Sequence, residues 1–294
     1  MKLSVVIAAW NSPVLLQQCL LSLLKQLNSG DSQAIVVSNF PTNDIQKRFE
    51  SAPFLSFLNL RDATVPQLRT RGIESASGDV IALLEDHSYV DDAWAAEIRK
   101  AHEMSYTVIG GSVENPAGQT PLNWAIYLYD YGPYMLPDVP RVATALTGFN
   151  VSYKRKVLTE VQDRYRNGFY ETFIHEELQR RGYELFFMPS VIVYHNKEYG
   201  LKNSIVESYH HGRLFAAMRT STATLNERAY RVATSLFLPL LLPIRIALRT
   251  VRKNKHVKEL IAAFPYLLLL LSVWSYGEFC GYMCREGSSA KRWK

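Results

Sequence analysis

The chain opens on a short, unbroken apolar run over residues 3–8, rich in β-branched side chains, which predicts a strand buried on both faces. Ser12 suits a helix N-cap and Pro13 the first helical position, and residues 14–27 repeat apolar side chains at helical spacing. Residues 34–38 predict a second strand, 65–77 a helix and 79–84 a third strand. Strands that alternate with helices predict an α/β domain with a mostly parallel sheet.

The middle of the chain is mixed. Residues 106–115 read as a strand that leaves through Gly110 and Gly111, and 121–134 as an aromatic-rich helix or turn. Residues 144–158 read as a loop and strand feeding a helix. Residues 170–195 read as a helix stopped at Gly182, then strands ending at His195. The pattern changes after residue 225, which places a domain boundary between 1–225 and 226–294. Residues 232–244 and 260–277 are free of charge, and Arg249, Arg252, Lys253, Lys255 and Lys258 lie between them. The first segment is too short to span a bilayer and the second is borderline. A single crossing by either would strand a basic stretch on the wrong side. Two interfacial or re-entrant helices on an anionic membrane surface satisfy the whole pattern, and a buried helical hairpin is the alternative.

Composition narrows the classes. The 294 residues carry a net charge of +6, 48% hydrophobic and 20% charged side chains, enough apolar content for a sizeable core. Lys and Arg thicken from about residue 141 and flank the apolar segments, which favours lipid or phosphate partners over nucleic acid. Cys19, Cys280 and Cys284 form no CxxC pattern, so a reducing, cytosolic setting is expected. The first ten residues read as a strand and not as a signal peptide.

In open α/β sheets ligands bind beyond the carboxyl ends of the strands. Ala9-Trp10-Asn11, Ser38-Asn39 and Glu85-Asp86-His87 all fall there. No GxGxxG follows the first strand and no GxxxxGK[ST] occurs, which disfavours a dinucleotide fold or a P-loop. Glu85-Asp86-His87 could cap a solvated turn, but its place after a buried strand favours a divalent cation. Carboxylates suit Mg²⁺ or Mn²⁺, and imidazole suits Mn²⁺ better.

Four stretches in order, "VVIAAWNSPVLLQQCLLSLLKQ", "RTRGIESASGDVIALLEDH", "TGFNVSYKR" and "ETFIHEELQRRGYEL…MPSVIVYH", resemble the family 2 glycosyltransferases of the GT-A fold over residues 1–200. The resemblance implies a nucleotide-diphosphate sugar donor and Mn²⁺ or Mg²⁺ held by a D-x-D motif. Here Glu85 falls on its first Asp, His87 on its second, and Asp86 between them, so Asp86 and His87 both stand as metal ligands, His87 by position and Asp86 by hardness. Ala8, Ala9, Trp10 and Asn11 match the nucleotide-binding turn. Arg69 and Gly72 match the ARNxG helix, with Thr70 in place of Asn. Ser38 and Asn39 stand where the family carries a base-reading Asp, and His195 where many members have a metal-side His. Gly148 and Asn150 of "TGFN" fall on the acceptor side.

Counting eleven residues back from Gly182 places the family's catalytic base at Glu171. Glu176 and Glu177 read instead as partners of Arg180 and Arg181 on the helix surface. Trp124, Tyr127, Tyr131 and Tyr134 form either an acceptor wall, with Trp124 foremost, or core. Arg213 either reaches the donor diphosphate or faces solvent or lipid.

The resemblance therefore implies an inverting, metal-dependent transfer of a hexose to a hydroxyl, and the basic and apolar C-terminal segments point to a lipid-linked or membrane-delivered acceptor at the cytoplasmic face of the cell membrane. Two alternatives stay open: a polyprenyl-phosphate sugar synthase, which needs no base, and a non-catalytic sugar-nucleotide-binding protein. A nucleotidyltransferase is disfavoured because its Gly-rich first turn is missing.

Overall fold

The computed structural model describes residues 1–289 apart from 117 and 222. Lys291, Arg292 and Lys294 of the basic tail lie outside the described residues. In chain order the elements are β1 (Leu3–Ala9), α1 (Pro13–Leu23), β2 (Ser32–Ser38), α2 (Asn43–Arg48), β3 (Leu55–Asn59), α3 (Val65–Ser75), β4 (Val80–Glu85), β5 (Ser88–Val90), α4 (Trp94–His102), β6 (Val108–Glu114), α5 (Pro121–Asp130), β7 (Arg141–Ala143), β8 (Val151–Lys154), α6 (Arg155–Glu160), α7 (Glu171–Arg180) and β9 (Leu185–His195). Four helices follow: α8 (Leu201–Arg219), α9 (Leu225–Ser235), α10 (Leu238–Lys253) and α11 (Val257–Cys284).

The chain forms two compact units. The first comprises Met1–Pro116 and Tyr134–Lys197, the second Ala117–Pro133 and Glu198–Lys294. The second unit thus begins ahead of the composition change at residue 226 and takes in α5.

In the first unit a nine-stranded sheet runs β3-β2-β1-β4-β8-β6-β9-β5, with β7 also on β9. Strands β1 to β4 are mutually parallel, and β8 lies antiparallel between β4 and β6. All seven residues of β1 are buried, as its unbroken apolar pattern requires. Each aliphatic side chain so buried contributes about 1.5–3 kcal/mol. Helix α3 lies so close to this strand that a Cβ at Gly72 would come 2.1 Å from Val6 Cγ1.

Strand β6 does not end at Gly110 and Gly111 but runs through them. A Cβ at 111 would meet the Val191 carbonyl oxygen at 2.0 Å and Asn150 Nδ2 at 2.5 Å, so the glycines admit neighbours and do not break the strand. The register with β9 shifts between Gly111 and Ser112, and Pro189 falls in the skipped segment, where no ladder N–H is needed.

In the second unit α8 packs along α11 through Gly212, Gly277 and Gly281. A Cβ at any of these would lie 2.2–2.3 Å from a carbonyl oxygen of the facing helix (Trp274, Tyr209 or Arg213). Leu122 and Ile126 of α5 cluster with Leu270. Helix α11 is long and apolar enough to cross a membrane by length and composition, with mean hydropathy 1.7. Helices α9 and α10 form a pair bent by 65°.

Candidate active site

Strand β4 delivers the site. Its last residue, Glu85, pairs with Ala8 of β1, so the two strand exits lie side by side. Asp86 then turns toward the β1 exit. Its carboxylate accepts from Asn11 N at 2.7 Å, Asn11 Nδ2 at 2.6 Å and Ser12 N at 3.3 Å. Ser12 caps α1 through Leu15 N, as Ser-Pro predicts, so Asp86 also faces a helix N-terminus. Burial raises the Asp86 pKa to about 6, against the lowering effect of the Asn11 hydrogen bonds.

His87 is buried beside it. Nδ1 lies 3.3 Å from Glu85 Oε2 and 3.3 Å from Asn11 Nδ2, while Nε2 has no hydrogen-bond partner. His195 comes alongside because β5 pairs with β9 and sets Ser88 opposite His195; the two rings are 4.9 Å apart and near perpendicular. Burial first, then nearby positive charge, holds both imidazoles neutral, well below the usual histidine range.

Arg69 sits between two carboxylates. From the buried face of α3 its Nη2 pairs with Glu85 Oε1 and its Nη1 with Glu171 Oε2, the latter at 2.7 Å. Burial alone would lower the Arg69 pKa, but Glu85 and Glu171 outweigh it and raise it. The loop before α7 brings the partners together: Phe169 N donates to Pro66 O at 2.9 Å, and Thr70 Oγ1 donates to Tyr165 O at 2.8 Å. Thr70 thus ties α3 to that loop. One turn after Glu171, His175 Nε2 meets Tyr153 Oη at 2.7 Å and anchors α7 on β8. Burial lowers the His175 pKa to about 4.

The remaining candidates are placed as follows. Ser38 Oγ bonds both N and O of Phe40, closing its own turn, while Asn39 N reaches Ala9 O at 3.2 Å. Asn150, at φ 60°, is structural: Nδ2 reaches Ser112 O and Val191 O, and Oδ1 accepts from Trp94 Nε1. Glu177 pairs with Arg180 at 2.7 Å and Arg181 at 2.8 Å, as the helical spacing predicts. Trp124 and Arg213 belong to the second unit. There Trp124 is buried against Tyr127 and His256, and Arg213 Nε donates to Arg285 O. The Tyr153–His175 pair was not among the sequence candidates. The i, i+4 spacing of Glu171 and His175 was its only sequence signal.

Among the described residues no group of three or more His, Cys, Asp or Glu side chains is placed to hold a metal. Two donors do face one another. In the tautomer with the proton on Nε2, a cation that displaced the Asn11 amide from the Nδ1 lone pair of His87 would meet Glu85 Oε2 beside it. Such a pair suits an ion that brings phosphate oxygens and water with it, not a closed protein cage. Three carboxylates, Glu85, Asp86 and Glu171, outnumber the nearby cations Arg69 and Lys197, so an anionic diphosphate needs added positive charge there.

A parallel half-sheet with a carboxylate-rich strand exit, joined to an antiparallel β8 and a carboxylate-bearing α7, defines a GT-A fold. The chain belongs to glycosyl transferase family 2, whose description it matches over residues 4–162, and is a glycosyltransferase. It is similar in fold to the crystal structure of S. aureus TarS 1-349. The TM-score is 0.52 at 15% identity, over 99% of this chain and 92% of that one. The TarS complex with UDP gives 0.51 at 14%, covering 95% and 91%, and the complex with UDP-GlcNAc 0.53 at 15%, covering 99% and 92%. No curated protein sequence matches this one.

Proposed function

We propose that the protein is an inverting glycosyltransferase that moves a hexose from a nucleotide-diphosphate sugar to a lipid-linked or membrane-delivered hydroxyl. The observation that carries this is Arg69, which joins the strand-exit carboxylate Glu85 to a second, quarter-exposed carboxylate, Glu171. One carboxylate faces the donor side and the other is left for the acceptor.

In this reading the exits of β1 and β2, from Ala8, Ala9, Trp10 and Asn11 to Ser38, seat the nucleotide, and Arg69 attracts the diphosphate. UDP-N-acetylglucosamine, which TarS binds, is the first donor to test. Glu171 takes the proton from the acceptor hydroxyl as its oxygen attacks the anomeric carbon. The bond from that carbon to the diphosphate oxygen breaks on the opposite face, so configuration inverts. When bound, Mn²⁺ or Mg²⁺ would supply the positive charge that offsets the negative charge gathering on the departing diphosphate. Glu85 and His87 are the residues that would hold it, since Asp86 is engaged with Asn11 and Ser12, and His195 flanks them. Gly148 borders the acceptor side, on a loop that the Asn150 side chain anchors.

The partner surface in this reading is an anionic membrane. Phe237, Leu241, Ile244, Leu248 and Val251 form one exposed stripe along α10, and Arg245 and Arg252 on the same helix are exposed as well.

The test is transfer from a panel of nucleotide sugars with and without Mn²⁺, beside thermal shift. Turnover that disappears on chelation and in Glu85→Ala supports a metal-dependent enzyme. Nucleotide-sugar binding without turnover under any condition would show a binding protein instead.

A further inference from the structure

Gly148 has no conformational reason to be glycine. Its φ lies outside the left-handed region, where Gly118, Gly168, Gly182 and Gly287 fall. The reason is steric. A Cβ at 148 would come 2.6 Å from Glu171 Cδ, 2.7 Å from Glu171 Oε2 and 2.7 Å from Arg69 Nη2. The ion pair occupies the volume a side chain would fill.

The loop around Gly148 is held from both sides. Thr147 Oγ1 bonds to Phe149 O and accepts from Phe149 N at 3.0 Å. Asn150 N donates to Leu83 O at 2.8 Å, and its amide side chain is anchored on Ser112, Val191 and Trp94. Arg69 is likewise held by Glu85, through the same Nη2 that the Cβ would meet. Of the groups meeting at this point only Glu171, a quarter exposed, is left to yield.

We propose that Gly148 is a positioning residue for Glu171. The absence of a side chain at 148 lets the Arg69–Glu171 pair form, and the pair fixes Oε2 so that Oε1 is presented to the acceptor hydroxyl. The inference rests on the reading of Glu171 as the base.

The test is a double-mutant cycle in the full-length protein with Gly148→Ala and Glu171→Gln. Gly148→Ala lowers kcat by about 10²-fold, the size of a misplaced reacting group. The donor KM stays within about threefold, because the donor side of Arg69 remains held by Glu85. In the Glu171→Gln background the same substitution changes the residual rate by less than about twofold, because the group it displaces has already lost its function.

Factors that multiply in the double variant, or a wild-type kcat in Gly148→Ala, overturn the proposal alone. A near-normal rate in Glu171→Gln overturns the base reading and this inference with it. Glu171→Asp guards against a Gly148→Ala protein that does not fold. It keeps the carboxylate but draws it back from Arg69, so kcat falls with donor KM retained; a wild-type rate would overturn the requirement for position.

Discussion

Arg69 and Glu171 are 102 residues apart in sequence, yet Nη1 of the one lies 2.7 Å from Oε2 of the other. Arg69 also grips Glu85, so a single guanidinium ties the end of β4 to the start of α7. In the proposed mechanism the donor and acceptor halves of the chemistry thereby share one buried charge.

Removing that charge leaves two carboxylates facing each other with no counter-ion. Breaking a buried ion pair by deleting one partner typically costs about 3–5 kcal/mol. Arg69→Met is therefore expected to lower the denaturation midpoint in urea strongly, and Arg69→Met with Glu85→Gln to regain part of the loss. Equal midpoints for the two variants would show that Glu85 does not depend on Arg69.

Glu171→Gln keeps the shape of the side chain and removes the proposed proton acceptor. Transfer to a hydroxyl is expected to fall about 10²- to 10⁴-fold, with donor affinity by calorimetry unchanged. A rate near normal would point to an acceptor that is already anionic, such as a polyprenyl phosphate.

His102 is buried against Ser152 Oγ at 2.8 Å, and burial lowers its pKa to about 3. An unfolded histidine takes up its proton near pH 6.5, so below that pH the unfolded state binds more protons than the folded one. Stability is expected to fall as pH drops from about 6.5 toward 3, by up to roughly 1.4 kcal/mol per pH unit from this residue. His102→Gln should flatten the melting temperature against pH over that range; an unchanged slope would exclude His102 as the source.

The exposed stripe on α10 makes a separate expectation. Leu241→Glu and Ile244→Glu lie on the exposed face and should leave the melting temperature within about 1–2 °C. Sedimentation with vesicles of anionic lipid should drop several-fold, because each change places a charge where the apolar face meets the bilayer. Retained sedimentation of both variants would exclude this face, and equal binding to neutral vesicles would exclude an anionic requirement.

The sequence by itself determined the alternation of β1, α1, β2, α3 and β4, because apolar runs and helix caps are local signals. It placed Ala9 to Asn11 and Glu85 to His87 at strand exits for the same reason. It also paired Glu177 with Arg180 and Arg181, whose spacing is a property of one helix.

The sequence missed the edge strand β3, whose residues are only half buried and show no clean alternation. The two glycines in β6 read as an exit because their reason lies in β9 and Asn150, far along the chain. Only the tertiary structure decided that Asp86 faces Asn11 and Ser12, that His87 faces Glu85, and that Arg69 bridges to Glu171. It alone decided why residue 148 is glycine. Those relationships join groups on different elements. Which carboxylate meets which donor depends on sheet register and on how α3 and α7 pack, and neither is written in any local stretch of the chain.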